Sequence, residues 1–388
     1  MSYLSWQTLP WHILVEIFSN LELKDRIQAS LACKYWSECF HDRKLWSNFT
    51  VKLDTHTDED ASALNLAYYH IDYVNVVSVS INQSQILSRN RAIQFLNVCT
   101  NKLHSLTGLV VCFHGRNPQF YRDPELVESI KILLSSFKDC NNFQSALTYV
   151  NLNKFQLTLN DSIIYSIFSG HKNLKKVCIQ NDCLVDSVSV RSILNLVKFC
   201  PSLEELHTFY HSFDSSVIDA LSIPTKKPIF KYLSLRCNRS DKFGIIISSE
   251  SWEKLKFFQP KLEVEMYFHQ LFPLHLVKQV LVENIPLAKI NLRMFAWIND
   301  ELSHISDIYS QYLKILSFST NVDKRASAPP GLEDILVTLV KKCYNLIKIY
   351  CYCSLKKETI SEIKRIRFLE SAILYTYETY DNTKNQKS

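Results

Sequence analysis

Lysine, arginine and tyrosine recur at matching places from residue 149 onward: Lys175, Lys176, Lys231, Tyr232, Arg236, Lys289, Arg293, Lys314 and Lys348, with Tyr149 and Tyr350 interleaved and Glu204 and Glu205 as the main counter-charges. Ammonium and guanidinium groups form charge-assisted hydrogen bonds to carboxylates and phosphates. The chemistry on offer is therefore capture of an acidic or phosphorylated protein segment. Covalent chemistry finds less support. The glycines, Gly108, Gly115, Gly170, Gly244 and Gly331, form no P-loop, no G-x-G-x-x-G turn and no G-x-S-x-G elbow, so phosphate cradling and hydrolase geometry lack their backbone. No H-E-x-x-H or paired C-x-x-C occurs, and Cys351-Tyr352-Cys353 with nearby Cys343 is one donor short of a closed zinc site. No catalytic residue, metal ligand or cofactor is expected.

A repeat must position these cations. A pattern of the form L-x-x-L-x-L-x-x-N recurs, with variations, from Leu147, Leu174, Leu203, Phe230, Leu287, Leu313 and Leu346. The first four starts are spaced 27, 29 and 27 residues apart, position 287 follows 57 later, and 313 follows by 26. This is the leucine-rich-repeat period. Alternating apolar residues predict a short strand in each unit, and Val188, Ile193, Leu194 and Val197, or Leu332, Ile335, Leu336, Leu339 and Val340, carry helical spacing between strands. The unit missing between 230 and 287 is expected at Phe257-Phe258 or at Leu262-Glu263-Val264, where Pro260 spoils the pattern, and an irregular one at Leu103, Leu106 and Leu109 is expected to be the first full turn. Side chains alternate along a strand, so the cations named above are expected on the face opposite the buried leucines. That face is expected to be basic.

The amino-terminal residues are of another kind. Leu9-Pro10 leads into Ile13, Leu14, Ile17, Phe18 and Leu21, followed by Asp25, Leu31-Ala32-Cys33, Trp36 and Leu45-Trp46. Pro10 suits a first helical turn, Asp25 with Gln28 has the form of a capping box opening a second helix, and a third is predicted through Trp36 and Phe40. So short a segment cannot bury so many large apolar groups alone. These residues resemble the F-box over its full length. The resemblance implies a three-helix module that docks on the SKP1-type adaptor, and through it on the cullin and RING protein, of a ubiquitin ligase. The adaptor-facing residues would be Leu9, Pro10, Ile13, Leu14, Ile17, Leu21 and Trp36. His12 stands where the family has an acid, and Arg26 and Ala32 where it has larger aliphatics; these departures would loosen adaptor binding.

An F-box followed by leucine-rich repeats resembles the substrate receptors of SCF ubiquitin ligases over essentially the whole chain. The implied fold is α/β: a three-helix F-box, then a solenoid with parallel strands on the concave face and helices on the convex face. The implied function is that of a non-catalytic substrate-recognition subunit, with the conjugating enzyme recruited by another subunit. Segments 250–255 and 283–287 look most like the subfamily of F-box only proteins 39 and 33. The domain limits expected are 1–50 for the F-box, 51–101 for the acidic junction and a first irregular repeat, 102–377 for the solenoid and 378–388 for a disordered tail, with long loops at His114–Pro124 and Asp323–Gly331.

Composition agrees with this reading. The 388 residues include 47% apolar side chains, and no apolar run approaches the ~20 residues of a membrane span. The amino terminus lacks the basic and apolar regions of a secretory signal. Twelve cysteines without framework spacing read as reduced, buried thiols of a cytoplasmic or nuclear protein. The net charge of +6 lies entirely beyond residue 50, since five Lys/Arg balance five Asp/Glu before it. A pI near 8.6 is too mild to favour the alternative of a nucleic-acid-binding repeat protein. A scaffold that engages the adaptor without directing ubiquitination is the other alternative.

Overall fold

The computed structural model describes residues 9–54, 58–102, 106–115, 123–136, 147–181, 183, 187–223, 229–238, 246–323 and 326–376. The chain divides into two compact units, one of residues 1–157, 165–174 and 181–183, the other of residues 158–164, 175–180 and 184–388. The expected tail 378–388 and most of the His114–Pro124 loop lie outside the described residues.

The first unit opens with helices α1 (Trp11–Ser19), α2 (Leu23–Ser30), α3 (Lys34–Phe40) and the single turn α4 (Arg43–Trp46). Pro10 stands at the amino-terminal cap of α1, whose inner side is Leu14, Val15 and Phe18. Helix α2 begins earlier than the capping box suggested: Glu22 is its cap residue, without a side-chain bond, and Asp25 sits in the first turn. The reason is Leu23, which joins Ile27 one turn later on the half-buried side, while Asp25 complements the positive end of the helix. Arg26 stitches the module together. Its Nε donates to the Phe18 carbonyl (3.1 Å), Nη1 to the Leu45 carbonyl (2.9 Å) and Nη2 to the Leu21 carbonyl (3.2 Å). Trp46 is fully buried, donates from Nε1 to the Phe40 carbonyl (2.8 Å) and stacks on His70 with ring centroids 3.8 Å apart.

Strands β1 (Asn48–Leu53), β2 (Val76–Ile81), β3 (Gly108–Phe113) and β4 (Tyr149–Asn151) follow in the same unit, separated by α5 (Asp58–Tyr69), α6 (Ile86–Lys102) and α7 (Pro124–Ser135). All are parallel, and Val51, Val79 and Val111 align in one buried row. Gly108 leaves room for its neighbours, since a Cβ there would lie 3.1 Å from both Val76 methyls. The strand at Leu109 is therefore the third turn, not the first. β1 alternates Phe49, Val51 and Leu53 with Asn, Thr and Lys, and β2 alternates Val77, Val79 and Ile81 with Val and Ser, patterns that form strands without the leucine spacing.

In the second unit, strands β5 (Lys176–Cys178), β6 (Glu205–Phe209), β7 (Tyr232–Cys237), β8 (Glu263–Phe268), β9 (Leu287–Arg293), β10 (Ile315–Ser319), β11 (Lys348–Leu355) and β12 (Ser371–Thr376) pair in parallel, each with its neighbour in sequence. Helices α9 (Val190–Phe199), α10 (Ser215–Leu221), α11 (Ser249–Phe258), the turn α12 (Val277–Val280), α13 (Asn299–Ile308), α14 (Leu332–Lys342) and α15 (Lys357–Ile366) connect them; α8 (Asp161–Phe168) straddles the division between units. The unit between 230 and 287 uses Leu262-Glu263-Val264, while Phe257-Phe258 ends α11. Pro260 lies in the turn ahead of β8, where a missing N–H costs no ladder bond. Residues Ala326 and Ala328 of the Asp323–Gly331 loop hydrogen-bond to Ser354, and Gly331, at φ +77°, turns the chain into α14. Among the described residues the cysteines are free thiols, and no helix is long and apolar enough to cross a membrane.

Candidate interaction surfaces

The amino-terminal helices divide the residues expected to face an adaptor. Leu14 has no exposed surface and belongs to the core under α1. It cannot touch a partner. Ile13 is 41% exposed and Pro10 is exposed as well, whereas Leu9, Ile17, Leu21 and Trp36 are half-buried. Trp36 packs edge-on against Phe18, and the Leu9 carbonyl accepts a hydrogen bond from Tyr35 (3.0 Å). Among the described large apolar side chains of the module the most exposed is Leu31, at 73%, just past the end of α2. Sequence spacing marked it as part of the motif without separating it from core positions. Arg26 carries out an internal task, so its replacement of an aliphatic residue is explained by the carbonyls it satisfies.

In the second unit, burial alternates along the strands. Val264, Met266 and Phe268 of β8 lie inside, and Glu263, Glu265 and Tyr267 lie on the open side. Register then assembles rows across the open face: Lys176, Glu205, Tyr232 and Glu263 in one, and His207, Ser234, Glu265 and Lys289 in the next. A third runs through Arg236, Tyr267, Asn291, Ser317 and Tyr350. A cavity of about 490 Å³, a ligand-sized volume, is lined by Lys176, Glu205, His207, Lys231, Tyr232, Lys261, Glu263 and Lys289.

Four of the residues expected to bind substrate, Lys176, Lys231, Tyr232 and Lys289, thus come together. Lys175 and Lys314 border them, at 3.8 Å from Glu204 and 2.6 Å from Glu263. Lys348 continues the row of Lys289 two strands further on, Arg293 is exposed at the end of β9, and Tyr149 belongs to the other unit. Arg236 is buried, its guanidinium bonded to Asn238 Oδ1 (3.1 Å) and lying 4.6 Å over the Tyr267 ring.

The face is not uniformly basic. Lys176 pairs with Glu205 at 2.6 Å and Lys231 with Glu204 at 2.5 Å. Tyr232 donates its hydroxyl proton to Glu265 (2.6 Å) and accepts from Lys289 (3.1 Å), whose ammonium lies 4.5 Å over the same ring. Lysine and glutamate stand in register on neighbouring strands at Lys176 and Glu205 and at Glu265 and Lys289. Glu263 and Glu265 escaped sequence analysis, since they sit on the strand whose repeat is most degenerate. Burial raises the Tyr232 phenol, and Glu265 adds to that; burial, followed by Lys176, lowers His207, and the hydrogen bond from Lys231 lowers Glu204. The imidazole of His207 is therefore neutral at pH 7. Of the cavity lysines, Lys261 is exposed with no carboxylate partner among the described residues. The arrangement can hold a ligand through charge and hydrogen bonds; it has no activated nucleophile.

Cys351 and Cys353 bring their sulfurs to 3.3 Å inside the core of β11. Among the described residues no group of three His, Cys, Asp or Glu side chains is placed to hold a metal ion.

Comparison with known proteins agrees with the two-part build. Residues 6–52 match the F-box-like family model. This segment is F-box-like. Over 346 residues the chain is 25% identical to F-box/LRR-repeat protein 8 of Homo sapiens, covering 89% of this chain and 88% of that protein. It is equally similar to the Mus musculus form over 357 residues, and 26% identical to F-box/LRR-repeat protein 21 of Mus musculus over 68% of this chain and 60% of that protein. The F-box helices and the parallel strand–helix repeats make this the α/β fold of an F-box followed by leucine-rich repeats. The closer likeness to F-box only proteins 39 and 33 is not supported: these relatives carry the F-box/LRR-repeat designation.

Proposed function

We propose that this chain is the substrate-recognition subunit of an SCF-type (SKP1–cullin–F-box) ubiquitin ligase and has no catalytic step of its own. The F-box-like helices would hold a SKP1-type adaptor, and through it a cullin and a RING protein. The repeats would hold the substrate. The observation that carries this reading is the coincidence of the F-box-like match with a helical module that leaves Ile13 and Leu31 exposed ahead of strand–helix repeats. Large apolar groups held in water on so small a module favour a partner. A cytoplasmic or nuclear location belongs to the same reading.

Substrate would enter the open face of the second unit, at the cavity floored by Tyr232 and Lys289. The lysines there outnumber the glutamates, so an acidic or phosphorylated segment remains the favoured ligand. Two measurements test the proposal. Co-expression with a SKP1-type adaptor should yield a co-purifying complex, and the adaptor–cullin–RING assembly should transfer ubiquitin to a protein captured by the repeats. Failure of the first removes the ligase reading, and success of the first without the second leaves a scaffold.

A further inference from the structure

We infer that the second unit reads one segment of its partner at two places: an acidic side chain in the open-face cavity, and a large apolar side chain at the rim formed just past β8, β9 and β10. The inference rests on the receptor reading and specifies the substrate element it takes.

Two independent features of the second unit lead to it. The first is the charge left over in the cavity. Glu204 and Glu205 are engaged by Lys231 and Lys176, Glu263 by Lys314, and Glu265 by the hydroxyls of Tyr232 and Ser234. Among the described residues Lys261 pairs with no carboxylate, and Lys289 rests against a phenol. Both line the same cavity, and a carboxylate or phosphate entering it would replace water around their ammonium groups rather than break an existing ion pair.

The second feature is a row of apolar side chains in solvent. The chain just past β8, β9 and β10 carries one each: Leu271, Trp297 at 70% exposure and Val322 at 75%. Parallel strands end at the same edge of a sheet, and neighbours lie ~4.8 Å apart, so these three positions span a rim ~10 Å long. Trp is the residue type most typical of interface hot spots, and large apolar side chains held in water on neighbouring loops mark an interaction site. Arg293, the last residue of β9, joins the open face to the rim, its guanidinium 5.9 Å from the Phe295 ring in the loop that holds Trp297.

Distance fixes the spacing. Lys289 and Arg293 stand on the same face of β9, four residues or ~13 Å apart at ~3.3 Å per residue, with the rim beyond. A partner segment lying extended along the strands would cover that gap with about 4–7 residues between its acid and its apolar anchor.

The test uses the full chain, immobilised directly, to pan a random peptide library displayed on phage. Enriched peptides should carry Asp or Glu and an aromatic or branched aliphatic residue at that separation, always in the same order. A synthetic peptide of the strongest clone should lose roughly tenfold or more in affinity with Trp297→Ala, and similarly with the Lys261→Ala/Lys289→Ala pair. Replacing the peptide's acid by its amide should weaken binding to the parent chain and have little further effect on the lysine variant. Retained melting temperature shows that each variant folds. Peptides enriched for only one of the two features, scattered spacing, no enrichment, or amide replacement that weakens binding equally to parent and lysine variant would each overturn the inference. So would self-association removed by Trp297→Ala, which would assign the rim to a second copy. Adaptor capture, measured on the same preparation, runs through the other unit, so its failure counts against the receptor reading and not against this one.

Discussion

Arg26 shows how a single side chain can depart from a motif and still serve it. Its guanidinium satisfies carbonyls at the end of α1, in the turn that follows and in α4. An Arg26→Met variant keeps the stem and leaves those acceptors without their charged donor, an expected loss of about 2–3 kcal/mol, measurable as a lower urea midpoint. His70 sets a pH dependence. It stacks on Trp46, its Nε2 lies 3.1 Å from His41 Nδ1, and burial, followed by the charge of His41, lowers its pKa from 6.5 to about 4. The folded protein thus prefers the neutral ring. Its contribution is complete above pH 6.5 and is lost as the pH falls from there towards 4, because the unfolded chain takes up the proton first. The melting temperature should drop across that window, and His70→Phe should flatten the drop; an identical slope in the variant would refute this account. Residue-level exposure was the least legible quantity in the sequence. Leu14 and Leu31 are the same amino acid in the same motif, yet one is core and the other stands in water, and only the packing of α1 and α2 decides between them.

At the scale of elements, caps and cross-strand partners determine what each repeat withstands. Asp214 accepts from the backbone N–H groups of Ser216 (2.9 Å) and Val217 (3.2 Å) at the start of α10. Asp214→Ala should cost about 1 kcal/mol, whereas Asp214→Asn should cost less. On β8, Glu265 accepts from Tyr232 and from the buried hydroxyl of Ser234. Glu265→Leu leaves that serine without this acceptor and should destabilise the unit by about 1–3 kcal/mol, with Glu265→Gln recovering part of the loss. By contrast, the half-exposed pairs such as Lys176–Glu205 contribute ~1 kcal/mol or less each; their effect is on which charges remain for a ligand. Strands with the leucine signature, β4 to β7 and β9 to β11, were legible because their spacing is regular. β1 and β2 were not, since alternation without the leucine spacing is common to many strands. β8 was legible only as one of two options, because the proline before it disguised its start, and the open face was therefore credited with more positive charge than it has.

For the whole molecule, the decisive measurement concerns the amino-terminal helices. Leu31→Asp combined with Ile13→Asp should reduce adaptor capture by roughly two orders of magnitude, as loss of two apolar anchors does at other interfaces, while leaving the helical signal and the urea midpoint unchanged. Both side chains are exposed, so neither substitution removes a core contact. A variant that binds the adaptor as well as the parent would move the adaptor contact away from Ile13 and Leu31, whereas a parent chain that captures no adaptor would withdraw the ligase reading. The two-part build was legible in the sequence because an F-box-like segment and a leucine period are both patterns of spacing. Ligand chemistry depends on which charges neighbouring strands bring into register, and spacing within one strand does not determine that.

One property of the sheet reaches back to how the molecule is made. Every described pairing joins strands consecutive in sequence, so each loop to be closed is short and its entropy is small. A nascent chain can add one strand at a time as it leaves the ribosome. Trp46 packs on Phe49 and His70, both made early in the chain, so the core around it can form while the carboxyl-terminal strands are still being translated.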